Sequence, residues 1–304
     1  MRVTAPGKLV LTGAYAVLDG APAVVMAIDR RAIADNTKVD RHPTPEVRAA
    51  VGDAVPAPTV NASAFLDETG QKMGLGSSAA AAVAAVAAVR AQQGKDLAHA
   101  AVRGEIFRAA RAAHFRAQGG GSGVDVAASV YGGVVRYSIA GTPEPTIRSV
   151  DWPPGLVMSA YFAGRSARTS ELLARVARSK TRRTEQFETL ARSMAAGAAC
   201  AADAIEKGSA FDFVSAARQY GALLGELGRL SDAPIVTTAV AELAALASGE
   251  GAAFLPSGAG GGDVAVWLGT SSPPASFLRR ARALGARRVN LAIDRDGVRQ
   301  EMVS

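Results

Sequence analysis

Cysteine is all but missing: Cys200 is the single one among 304 residues. That excludes an intramolecular disulfide and a cysteine-based zinc site, fits a reducing compartment, and makes the cytoplasm the expected location. Aromatic residues are scarce at 5%, and no basic stretch is interleaved with stacking side chains, so a single-stranded nucleic-acid platform is not expected. No apolar run approaches the length that crosses a bilayer; the stretch from Ala79 to Val89 is too short and too rich in alanine. The N-terminal Met1-Arg2-Val3-Thr4-Ala5-Pro6 lacks the apolar core of a signal peptide. What the chain does have is 49% hydrophobic residues, enough for a full core in one large or two intimately packed domains. Its net charge of +7 directs attention to polyanionic partners, phosphorylated metabolites among them.

The most informative stretch is Gly74-Leu75-Gly76-Ser77-Ser78-Ala79. From Ala79 to Arg90 there is neither glycine nor proline, so a helix is expected from about Ser77 to Gln93, with Gly94 ending it. Its first turn carries unpaired N–H groups, and the two glycines ahead let those groups approach a ligand while the helix dipole favours an anion. This outlines a phosphate cradle, although an ordinary serine cap after a glycine turn has the same residues. It is not a Walker A loop, because no Lys follows the second glycine and the spacing differs.

Along the rest of the chain, strands are expected at Arg2–Thr4 and Lys8–Thr12 around an Ala5-Pro6-Gly7 bend. A turn at Asp19-Gly20 then leads to a strand at Ala23–Ile28, making a hairpin. Short strands fit Val47–Val51 and Thr59–Ala62. Asp96 suits the cap of a helix ending near Gln118. After Gly119-Gly120-Gly121-Ser122-Gly123, a short helix is expected with Asp125 in its first turn, followed by a strand at Val134–Ile139. An apolar strand from Leu156 to Ala163 places the domain seam just before it, dividing the chain into 1–154 and 155–304. Helices follow at Ser170–Ser179, Arg182–Glu206, Ala210–Arg229 and Ile235–Ser248. The chain closes with strands at Ala252–Leu255 and Val264–Leu268, a basic helix from Ser276 to Leu284, and a strand at Val289–Ile293. Strands and helices alternate irregularly, without regular βαβ spacing, so the class is α+β.

Three glycine motifs in order carry a resemblance. Ala5-Pro6-Gly7-Lys8 with Gly13, then Gly74 to Ala79, then Pro256-Ser257-Gly258-Ala259-Gly260-Gly261-Gly262-Asp263 resemble the GHMP kinase superfamily over nearly the whole chain. The words Gly13-Ala14-Tyr15-Ala16-Val17-Leu18-Asp19-Gly20, Gly121 to Gly132, and Ala163-Gly164-Arg165-Ser166-Ala167-Arg168-Thr169-Ser170 are most similar to its bacterial phosphomevalonate kinases. The chain is compact for that family between the hairpin and the cradle. The resemblance implies a two-lobed fold, with an N-terminal lobe like ribosomal protein S5 domain 2 and a ferredoxin-like, helical C-terminal lobe. It implies ATP held by residues 74–79, Mg2+ as its partner, and transfer to phosphorylated mevalonate in isoprenoid synthesis. Neither a nucleic-acid nor a membrane partner is expected, and the assembly is a monomer or homodimer. A related acceptor, such as mevalonate, and an idle relative that only binds nucleotide or metabolite are the alternatives.

Phosphoryl transfer needs charge neutralisation, in-line positioning and a handle on the acceptor's proton. Asp125, exposed by a glycine turn, suits the handle, and Lys8 on the first strand would sit beside it and neutralise phosphoryl oxygens. A structural Asp–Lys ion pair is the other reading of the two. By resemblance Ser78 is the metal ligand. The glutamate that ligates the metal in mevalonate kinases has no counterpart in Ala113-His114-Phe115-Arg116-Ala117-Gln118, where His114 and Gln118 lie one helical turn apart. For the acceptor's phosphate and carboxylate the candidates are Lys8, Tyr15, Arg116, Ser122, Ser166, Arg168 and Thr169. The resemblance adds Gly258 and Gly260, which would let the third loop close on the phosphates.

Overall fold

The computed structural model describes residues 1–52, 55–139, 144–164 and 169–301. In chain order these form β1 (Arg2–Thr12), β2 (Ala23–Val39), α1 (Pro45–Val51), β3 (Pro58–Asn61), α2 (Ser77–Gln92), α3 (Ala100–Gln118) and α4 (Val124–Tyr131). There follow β4 (Val134–Ser138), β5 (Thr146–Val150), β6 (Val157–Phe162), α5 (Thr169–Arg182), α6 (Thr184–Glu206), α7 (Ala210–Ser231) and α8 (Thr238–Gly249). The last elements are β7 (Ala253–Pro256), β8 (Val264–Gly269), α9 (Ala275–Ala283), β9 (Arg287–Val289) and β10 (Arg299–Glu301). One sheet has the order β10-β1-β2-β4-β5, with β3 pairing on β2; the other has the order β7-β8-β6-β9. The class is α+β, with two compact units: Met1–Leu9, Val25–Val135 and Ala292–Ser304 form one, Val10–Val24 and Arg136–Leu291 the other. No helix among the described residues is long and apolar enough to cross a membrane.

In the first unit α2 is the central helix. Every residue from Ala79 to Ala88 is buried, as expected of a helix that is apolar all round. Alanine on every side lets α1, α3 and α4 pack directly on it. Val47–Val51, expected as a strand, belongs to α1. Pro45 stands at its start, where a fixed φ and a missing N–H cost nothing. Val47, with Ala50 and Val51, then packs on Ala81 and Ala85 at helical rather than alternating spacing.

The Ala5-Pro6-Gly7 bend is also absent, since β1 runs unbroken. Pairing with β10 covers only Arg2 to Thr4, so on that side no ladder bond is asked of Pro6, which cannot donate. Gly7 serves proximity instead: a Cβ there would lie 2.4 Å from Phe65 Cε1 and 2.5 Å from the Leu75 carbonyl oxygen. Asp96 does not cap α3; it accepts from the Ala98 N–H in the preceding turn at 2.9 Å, and His99 is the cap. β2 extends past Ile28 to Val39, and Ile293 makes only an isolated bridge with Ile28.

The segment after residue 292 is locked by Arg31 on β2. Its guanidinium pairs with Asp294 and donates to the Thr4 hydroxyl at 2.9 Å and to the Gly297 carbonyl at 2.6 Å. Asp294 also accepts from the Gly297 N–H at 3.0 Å. Burial pulls the Arg31 pKa down, opposed by its bond to Asp294. Replacing Asp294 by Ala would strand that guanidinium, and is expected to cost about 3–5 kcal/mol of stability. Denaturant titration measures it; a loss under ~1 kcal/mol would contradict the lock.

In the second unit the antiparallel sheet β7-β8-β6-β9 is backed by an aromatic core. Trp267 and Phe277 meet edge to face at 4.7 Å between centroids, and Phe254 lies 5.3 Å from Phe277. The buried indole N–H donates to the Ser271 carbonyl at 3.1 Å, satisfying its one polar atom.

Candidate active site

Gly74 and Gly76 both have left-handed backbones, with φ of 76° and 82°. Gly76 is the N-cap of α2 and offers no side chain to its amides, and the first helical bond runs from Ala80 N to the Gly76 carbonyl at 3.0 Å. The amides of Ser77, Ser78 and Ala79 are therefore left without a capping side chain, the arrangement by which a helix start can receive an anion. The cradle is pinned to β1. The Lys8 N–H donates to the Leu75 carbonyl at 2.9 Å, and its ammonium donates to the Gly74 carbonyl at 3.2 Å. A Cβ at Gly76 would come within 2.9 Å of Lys8 Cγ, so glycine is what lets the lysine stem lie across the loop.

Asp125 stands in the first turn of α4, after Gly123 with φ of 85°. One carboxylate oxygen accepts the Val126 N–H at 3.0 Å; the other lies 3.8 Å from His114 Nε2. The same nitrogen is 3.0 Å from the Ser78 hydroxyl. His114, on α3 and buried, thus stands between the cradle serine and the Asp125 carboxylate. A further tie runs from the Ser129 hydroxyl to the Pro6 carbonyl at 2.7 Å. Ser129 lies one turn beyond Asp125, so this bond fastens the α4 face carrying Asp125 to the strand carrying Lys8. Lys8, Ser78 and Asp125 accordingly belong to one constellation within the first unit.

Two cations on α3 behave differently. Arg116 is exposed and donates to the Ala49 carbonyl on α1 at 3.0 Å. Arg111, which sequence reading passed over, lies against the turn ahead of Asp125: a Cβ at Gly123 would be 2.9 Å from its Cγ and Cδ and 3.0 Å from its Nε. Its guanidinium is half-buried and has no hydrogen-bond or ion-pair partner among the described residues. The spacing of Arg111, His114 and Gln118 along one helical face was the available signal. Ser122 is buried and accepts the Val124 N–H at 3.3 Å, shaping the turn ahead of Asp125.

The remaining sequence-named residues lie in the second unit. The Tyr15 hydroxyl donates to the Ala259 carbonyl at 2.7 Å, in the loop of Gly258 and Gly260, whose φ values are 94° and 80°. Burial pushes the Tyr15 phenol well above its ordinary pKa, so it is a donor at any physiological pH. Thr169 is exposed at the start of α5. Ser166 and Arg168 lie outside the described residues.

Residues 54–133, which span the cradle, α3 and α4, match the GHMP kinases N terminal domain. The phosphomevalonate kinase of Streptomyces sp. (strain CL190) is 30% identical over 337 residues, covering 87% of this chain and 88% of that protein. Among solved structures, the Lin0012 protein from Listeria innocua superposes with a TM-score of 0.82 at 20% identity, over 98% and 99% of the two chains. The Streptococcus pneumoniae phosphomevalonate kinase in complex with phosphomevalonate and AMPPNP gives 0.78 at 20% identity, over 96% and 99%. These structural likenesses establish the two-lobed fold. With the identity to the Streptomyces enzyme over most of both chains, they lead to one conclusion: the chain belongs to the phosphomevalonate kinase family of the GHMP kinases.

Proposed function

We propose that this protein transfers the γ-phosphoryl group of ATP directly to the phosphate of 5-phosphomevalonate, giving ADP and the 5-diphosphate. The observation that carries the reading is the joining of Ser78, His114 and Asp125 beside a cradle on which the Lys8 ammonium rests. The ATP phosphates would lie on the amides of residues 76–79, where the dipole of α2 and the Lys8 ammonium offset their charge. Asp125 would accept the acceptor's proton or hold its phosphate oxygen for in-line attack. The new bond joins that oxygen to the γ-phosphorus while the bond to the ADP oxygen breaks.

Magnesium, which the family implies, fits the donors present. The Ser78 hydroxyl, 3.0 Å from His114 Nε2, keeps at least one oxygen lone pair for a hard cation whichever of the two donates. Among the described residues there is no cluster of three or more His, Cys, Asp or Glu that could hold a metal, so Ser78, the nucleotide's phosphates and water would make up its shell. When bound, the ion offsets charge on the β- and γ-phosphates.

For the acceptor's own charges, Arg111 is the better-placed cation on α3, since Arg116 is engaged with α1. Ser122, Thr169, Gly258 and Gly260, with Ser166 and Arg168, remain the other proposed contacts, and Tyr15 would act through the loop that its hydroxyl holds. A coupled ADP-release assay across mevalonate, phosphomevalonate, homoserine and galactose is the test, with turnover expected on phosphomevalonate alone. In the same assay Arg111→Met, which keeps the stem on Gly123 but removes the charge, should raise the phosphomevalonate KM roughly 10- to 100-fold. Preference for mevalonate would defeat the acceptor assignment, and an unchanged KM would defeat the role of Arg111.

A further inference from the structure

Tyr15 sits in a backbone geometry that a simple acceptor contact does not need. Its φ is 66° and its ψ −55°, and the Ala16 N–H donates back to the Ala14 carbonyl at 2.9 Å across it. This is the rare, strained form of the γ-turn. Such strain persists only where the surroundings enforce it.

The surroundings here enforce it from two directions. The Tyr220 hydroxyl on α7, fully buried, donates to the same Ala14 carbonyl at 2.6 Å, so both lone pairs of that oxygen are used. Gly13 leaves no room for movement on the other flank: a Cβ there would lie 2.5 Å from Ala23 Cα and from the Pro22 oxygen. The turn points the Tyr15 phenol at the third glycine loop, 244 residues away in sequence, where it meets the Ala259 carbonyl.

That loop needs a brace. Gly258, Gly260, Gly261 and Gly262 all have positive φ, and glycines resist peptide reorientation weakly. Its two ends are held, by Ser257 N to the Val264 carbonyl at 2.8 Å and by Gly261 N to the Ile235 carbonyl at 3.1 Å. Between them the Ala259 carbonyl is held by Tyr15. In a trans peptide the C=O and the following N–H point in opposite directions. Capture of the Ala259 oxygen therefore aims the Gly260 N–H away from the phenol.

We propose that Tyr15 is a positioning residue: its hydroxyl, held by the strained turn, fixes the Ala259–Gly260 peptide so that the third glycine loop presents one arrangement of amides to the anionic acceptor. The inference rests on the phosphomevalonate reading for the identity of that acceptor. Preorganisation of this kind removes an ordering cost from binding and from the transition state.

The test is Tyr15→Phe, which keeps the ring and removes only the hydroxyl. Amide exchange of the peptide spanning residues 257–262 should quicken about tenfold, with exchange elsewhere in the chain unchanged. The kcat/KM for phosphomevalonate should fall roughly 5- to 30-fold, the effect of one lost hydrogen bond, while the ATP KM stays within about twofold. Unchanged exchange would show that the brace does not exist. Faster exchange with unchanged acceptor kinetics would show a braced loop with no positioning role. Wild-type inactivity on phosphomevalonate would instead sink the functional reading, with the exchange result still deciding whether the brace is real.

Discussion

Replacing Asp125 by Asn is expected to slow turnover by about 10²- to 10⁴-fold while ATP analogues still bind within roughly threefold of the wild-type affinity. The asymmetry follows from what each oxygen of this carboxylate does. One accepts the Val126 N–H at the start of α4, and the amide oxygen of Asn preserves that bond, so the turn keeps its shape. The other faces His114, where an NH2 group cannot receive a proton and carries no charge to orient the acceptor. The cradle amides and Lys8 are untouched, which is why nucleotide affinity should survive. Equal losses in turnover and nucleotide binding would mean that Asp125 shapes the site instead of serving the transfer.

Lys8→Met should cost about 10²- to 10³-fold in kcat, the usual effect of removing one preorganised donor from a developing charge. Met retains the carbons that pack against Gly76, and the backbone bond from residue 8 to the Leu75 carbonyl is independent of the side chain. What disappears is the ammonium above Gly74. Nucleotide affinity should fall too, by a factor of roughly ten, because the same charge faces the ground-state phosphates. Rapid-quench measurement of the chemical step with calorimetry of nucleotide binding separates the two effects; a wild-type chemical step would remove Lys8 from the mechanism.

Much of this site was readable because its parts are local. The cradle is a glycine turn before an alanine helix, and Asp125 follows a glycine run into another helix, so both announce their backbone geometry in a few consecutive residues. The joins between them were not readable. Ser78 meets His114 across 36 residues, Ser129 meets Pro6 across 123, and Tyr15 meets Ala259 across 244, and no local pattern encodes such pairings. Arg111 went unnoticed for the same reason, since its importance comes from Gly123 lying under its stem. In the fold, β5 and β10 were missed because Thr146–Val150 and Arg299–Glu301 are largely polar, partly exposed strands without apolar alternation. The seven-residue α1 is short enough to fit either period, and only its packing on α2 decides the matter.

The most direct measurement is 31P NMR of the wild-type protein turning over ATP with phosphomevalonate. If the cradle, the Lys8 ammonium and the Asp125 carboxylate act on one phosphoryl group, a pair of coupled doublets from a new organic diphosphate grows as ADP accumulates, with the phosphomonoester resonance declining in step. ADP accompanied only by inorganic phosphate, with the phosphomonoester unchanged, would contradict the account.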